Sequence, residues 1–142
     1  MNRPWLQSYP PGVPETIDPD TYGSLAAMCD EACRVYAGRP AFGNYGSLLS
    51  FGQLDEKARA FAAWLQHACG LQPGERVALM MPNVLAYPVA LLGALRAGAV
   101  VVNTNPLYTP RELDHQLNDS GARVVVAFEN SLGVLEAVRP NR

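Results

Sequence analysis

The fold is decided by the stretch "RVALMMPNVLAYPVALLGALRAGAVVVNTNPLYTPRELDHQLNDSGARVVVAF", residues 76–128, in which short apolar runs alternate with longer segments. The runs at 76–81, 99–103 and 123–128 are continuous rather than alternating, as is typical of parallel strands covered on both faces. The segments between them have helical length and pattern, so the stretch predicts two consecutive βαβ units with right-handed crossovers. We therefore predict an α/β protein with a partial doubly wound parallel sheet.

The helices of this stretch carry their own start signals. The first is expected over residues 83–97, although Pro88 requires either a late start or a kink. The second begins with Thr109 as N-cap and Glu112 three residues later, which is the pattern of a capping box. A last helix is expected from Ser131.

An extended arm, a helix, a β-hairpin and a second helix are predicted to precede the sheet. Residues 1–22 form the arm, because five prolines in its first 20 residues exclude helix and disfavour central strand. The rings of Trp5 and Tyr9 are expected to lie against the body or a partner chain. The first helix has an apolar face that includes Cys29 and Cys33, and we interpret this spacing as packing rather than a metal or redox pair.

The segment "AFGNYGSLLSFGQL", residues 41–54, predicts the hairpin, with its turn at residues 44–46. The second helix then begins at a capping box formed by Ser50 and Gln53. Its expected buried stripe consists of Leu54, Ala58, Phe61, Leu65 and Ala68.

Length and charge exclude several classes of function. The 142 residues suit one domain, and a net charge of −2 with 17% charged residues argues against a nucleic-acid-binding surface. Three cysteines without a secretory signal indicate a reducing compartment rather than a disulfide framework. No run reaches the roughly 18 apolar residues that a membrane-spanning helix needs. We therefore expect no nucleic-acid partner and at most peripheral contact with a membrane.

The loops that carry chemistry in such sheets lack the usual motifs here. The turn after the first strand contains no glycine, which excludes a dinucleotide fingerprint, and neither a phosphate-binding loop nor a metal-ligand cluster is present. We assign no catalytic residue, no cofactor-binding residue and no metal ligand. Ligands of open α/β sheets bind outside the carboxyl ends of the strands, where polar side chains either line a crevice or cap helices and turns. The crevice candidates are Asn83, Asn103, Thr104, Asn105 and Asn130.

Two elements carry a family resemblance. The segment "LSFGQLDEKA", residues 49–58, resembles the L-[ST]-[YF]-x-x-L element of the AMP-forming acyl-CoA synthetases, which belong to the adenylate-forming superfamily. The segment "LRAGAVVVNTNPLYTPREL", residues 95–113, resembles the L-[KR]-A-G-x-x-x-x-P element of the same family. The wording of residues 102–122 and 5–25 is similar to that of bacterial long-chain-fatty-acid–CoA ligases. The resemblance extends over about residues 5–138.

This resemblance implies an ATP-dependent reaction, with magnesium, in which a long-chain fatty acid and coenzyme A give acyl-CoA, AMP and pyrophosphate. The family's phosphate-binding loop and catalytic lysine follow positions corresponding to the end of this sequence. The resemblance therefore implies that residues 23–142 are the N-terminal part of a truncated large domain, which is inactive alone and binds none of ATP, magnesium or coenzyme A. It also implies a cytoplasmic location, with peripheral contact at the inner face of the membrane as an option.

An alternative function belongs to a different class. Three parallel strands are fewer than open α/β sheets usually contain, so an uncovered sheet edge is expected. A self-standing interaction or dimerisation module would use that edge, or the N-terminal arm, to form a homo-oligomer.

Overall fold

The computed structural model describes residues 3–138. Within this range five helices and five strands, apart from two short 3-10 helices, follow one another along the chain. They are α1 (Leu25–Val35), β1 (Pro40–Asn44), β2 (Ser47–Ser50), α2 (Phe51–His67), β3 (Arg76–Met80), α3 (Ala86–Arg96), β4 (Val100–Asn103), α4 (Pro110–Ser120), β5 (Val124–Ala127) and α5 (Leu132–Ala137).

The parallel sheet has β3 at its centre, with β4 and β5 on either side. Val77 of β3 is in register with Val101 of β4 and with Val124 of β5. Successive side chains of a strand point to opposite faces, so Val77 and Leu79 pack with α2 and α3, while Ala78 and Met80 pack with α4 and α5. The predicted α/β fold with two βαβ units is confirmed.

Both predicted capping boxes are present. The Ser50 hydroxyl accepts from the Gln53 amide at 3.1 Å, and the Gln53 side chain accepts from the Ser50 amide at 3.0 Å. At α4, Glu112 accepts from the Thr109 amide at 2.8 Å. Each box satisfies two of the backbone donors that a helix start leaves unpaired, which is why both helices begin where the sequence predicts.

Two details differ from the sequence-based expectations, and one choice that the sequence left open is resolved. The arm is not free of helix, because Pro4–Ser8 forms a 3-10 helix whose first residue is the proline, a position that needs no amide donor. Helix α3 takes the late start, at Ala86, which puts Pro88 in the first turn. In α2, Ala68 is exposed because the helix ends at His67 and the chain turns away, while Ala62 is buried and Phe61 is only half-buried.

The hairpin and α1 confirm their predictions more closely. β1 and β2 pair antiparallel around a two-residue turn, Tyr45-Gly46. In α1 the Cys33 side chain is buried and Cys29 is half-buried, as the packing interpretation predicts. Trp5 and Tyr9 of the arm are 55% and 41% exposed, so their contact with a partner chain stays a prediction.

Candidate functional site

The carboxyl ends of the three parallel strands meet at one edge of the sheet, where the crevice candidates were predicted. The β3 carbonyls hold the loops that leave the neighbouring strands. Leu79 accepts from the Thr104 amide at 3.0 Å, and Met80 accepts from the Phe128 amide at 2.9 Å. This edge is therefore a fixed backbone platform rather than a set of independent loops.

Asn103, at the end of β4, is the most connected of the predicted residues. Its side-chain oxygen accepts a hydrogen bond from the Tyr87 hydroxyl at 2.6 Å. Its backbone carbonyl accepts from the Gln116 side-chain amide at 3.2 Å. The other end of that amide, Gln116 Oε1, is buried and has no partner within residues 3–138. Asn103 thus joins the first turn of α3 to α4 across the end of β4.

Thr104 and Asn105 have local structural roles. Thr104 is 4% exposed, and its hydroxyl donates to the Val102 carbonyl at 3.3 Å. The Asn105 side chain accepts from the Leu107 amide at 3.0 Å, which is an Asx-type turn. These contacts match the capping and turn interpretation, although the crevice interpretation of the same residues stays a prediction.

Asn83 and Asn130 follow β3 and β5 and are both exposed. The Asn83 backbone carbonyl accepts from the Asn44 side chain at 2.8 Å, which ties the tip of the hairpin to the end of β3. Asn130 lies in the 3-10 helix Glu129–Ser131. The structure places all five candidates at the same edge of the sheet, and it adds Tyr87 and Gln116, which sequence reasoning missed. Only the helical spacing of Gln116 beside Leu113 and Leu117 signalled that it faces the sheet.

Two apolar clefts flank the hairpin at this end of the molecule. The first, of about 550 Å³, lies between the hairpin, α2 and α3, and is lined by Leu48, Phe61, Val89 and Val126 among others. Among residues 3–138, Lys57 is its only charged lining residue. The second, of about 360 Å³, lies on the other side of the hairpin and is lined mainly by side chains of α3 and the preceding loop.

Away from this edge, Arg96 at the end of α3 connects three helices. Its guanidinium binds Asp30 of α1 through Nε at 2.8 Å, and Asp55 of α2 through the side chain at 2.5 Å and the backbone carbonyl at 3.0 Å. Burial opposes ionisation of Asp55, but hydrogen bonds from Arg59 and Arg96 outweigh it and lower the pKa of this carboxyl.

The thiol of Cys33 in α1 is not an activated nucleophile, because burial raises its pKa.

The side chains at the carboxyl edge do not fit a magnesium–nucleotide complex. None of the loops that follow β3, β4 and β5 is glycine-rich, and residues 3–138 contain no cluster of three side chains suited to a metal ion. We therefore derive no chemical step from these residues. Within the same range, no helix is long and apolar enough to cross a membrane.

Comparisons with known proteins give a consistent result. A family model described as AMP-binding enzyme matches residues 29–141. The chain is 57% identical over 138 residues to a long-chain-fatty-acid–CoA ligase of Yersinia pestis, and 56% identical to one of Escherichia coli O6:H1. Both alignments cover 97% of this chain but 25% of the relative, so the chain spans about a quarter of the length of these relatives.

Solved structures show the same arrangement of elements. A benzoate CoA ligase from Burkholderia xenovorans LB400 matches 79% of this chain with a TM-score of 0.75 and 37% identity, and the match covers 23% of that chain. The N-terminal domain of FACL13 from Mycobacterium tuberculosis matches 79% of this chain with a TM-score of 0.74 and 30% identity, and here the match covers 28% of that chain.

Proposed function

The chain belongs to the AMP-binding enzyme family, and on this premise we propose that it is the N-terminal portion of a long-chain-fatty-acid–CoA ligase. In this proposal the whole enzyme converts a long-chain fatty acid, ATP and coenzyme A into acyl-CoA, AMP and pyrophosphate. The observation that carries the proposal is the 56–57% identity to bacterial ligases of that name over 97% of the chain.

The proposed role of residues 3–138 is structural. The β3 carbonyls, the Asn103 contacts and the two capping boxes fix the geometry of the carboxyl edge, while the residues there do not fit the phosphates or a metal ion. The proposal therefore assigns ATP, magnesium and coenzyme A to the remainder of the ligase. No observation on the described residues favours the alternative of a self-standing dimerisation module.

We extend the proposal to location and partners. Consumption of ATP and coenzyme A suits a cytoplasmic enzyme, and a long-chain fatty acid is supplied most directly from a lipid surface. From that substrate we propose a cytoplasmic protein with peripheral contact at the inner face of the membrane. Fractionation of cells that express the whole ligase tests this location, by showing how the ligase divides between the cytosolic and the membrane fraction.

A chimera tests the proposed activity. In the ligase of Escherichia coli O6:H1, the region that aligns with this chain is replaced by the chain itself. We expect the chimera to form palmitoyl-CoA from palmitate, ATP, magnesium and coenzyme A. The isolated chain under the same conditions should form none, because residues 3–138 contain no glycine-rich phosphate-binding loop.

Two controls make the result decisive. The same ligase without its first quarter should be inactive, which shows that the grafted region is required. A chimera that is soluble and cooperatively folded but inactive would contradict the proposed function. Acyl-CoA formation by the isolated chain above a protein-free blank would contradict the proposal that the sites for ATP, magnesium and coenzyme A lie in the remainder of the ligase.

A further inference from the structure

We draw no further inference here: the strongest candidate, the exposed apolar surface patch that the N-terminal arm and the start of α1 form around Ile17, Leu25 and Met28, carries none because nothing in residues 3–138 shows what covers it.

Discussion

Gly93→Ala is the most discriminating test of the packing between α2 and α3. A Cβ atom at position 93 would lie 2.8 Å from the Ala58 carbonyl oxygen and 2.8 Å from Phe61 Cδ1. Both contacts are shorter than carbon–oxygen and carbon–carbon packing allows. Rotation of the phenyl ring would leave Phe61 Cβ 3.1 Å away, and the backbone oxygen of α2 moves only if the helix moves. The substitution therefore pushes the two helices apart.

The size of the effect follows from two opposing contributions. Overpacking a close-packed core costs about 1–3 kcal/mol. Replacing a helical glycine by alanine returns about 1 kcal/mol through helix propensity. Because one of the overlapping atoms is backbone, the cost belongs in the upper part of its range, and the net loss of unfolding free energy is about 1–2 kcal/mol. For a chain near 150 residues this lowers the Tm by about 2–8 °C.

The same substitution at Gly133 in α5 is the control. A Cβ atom there has no neighbour within 4 Å, so only helix propensity changes, and the Tm should rise slightly. Thermal unfolding followed by circular dichroism measures both variants. A Gly93→Ala variant as stable as the parent, beside a Gly133→Ala variant that behaves as expected, would refute the close approach of α2 and α3.

Three further predictions concern single contacts. Arg96→Met should lower the unfolding free energy by about 1.5–3 kcal/mol, since Asp30 loses its guanidinium partner and Asp55 keeps only Arg59. Because the folded-state pKa of Asp55 is below its usual 3.8, its contribution is present above that pH and is lost as the pH falls through the lowered value, so the difference between parent and variant should narrow below about pH 4. Thr109→Ala should cost about 1 kcal/mol by removing the hydroxyl that accepts from the Glu112 amide at the start of α4. Tyr87→Phe should cost about 1 kcal/mol by removing the hydrogen bond to the end of β4.

Matched variants check each of these, with urea unfolding as the measurement. Arg59 is 67% exposed and binds the same carboxylate, so Arg59→Ala should change stability by less than about 0.5 kcal/mol. An equal loss of unfolding free energy in Arg96→Met and Arg59→Ala would show that the contacts of Arg96 with α1 and α2 do not account for its effect. Thr109→Ser should restore the cap, and a Tyr87→Phe variant with parental stability would show that the hydroxyl contributes nothing.

Local signals in the sequence predicted most of the fold. The Ser50–Gln53 and Thr109–Glu112 pairs fixed two helix starts because a capping box depends only on residues three apart. Continuous apolar runs predicted parallel strands because a strand that is buried on both faces needs apolar side chains at every position. Pro88 was compatible with a late start of α3 or with a kink. The residues before α3 instead form a turn, with a hydrogen bond from the Val84 amide to the Pro82 carbonyl, and α3 starts late.

Contacts between elements that are distant in the sequence could not be predicted. In the sequence Arg96 is one charged residue in an otherwise apolar helix, and nothing local indicates that Asp30 and Asp55 lie beside it. The hydrogen bond from Tyr87 to Asn103 depends on how α3 crosses β4, which no spacing in the sequence encodes. The buried side of α2 was misassigned at Ala68 because the helix ends one residue earlier.

The central place of β3 has a consequence for synthesis. Both of its neighbours are made later, since Arg76 pairs with Val100 and Val77 pairs with Val124. A chain leaving the ribosome therefore completes its hairpin and α2 first, and β3 stays unpaired until β4 has emerged and unpaired along one edge until β5 has emerged. We expect chaperones that recognise extended apolar segments to bind nascent chains in this interval and to release them once the third strand is in place.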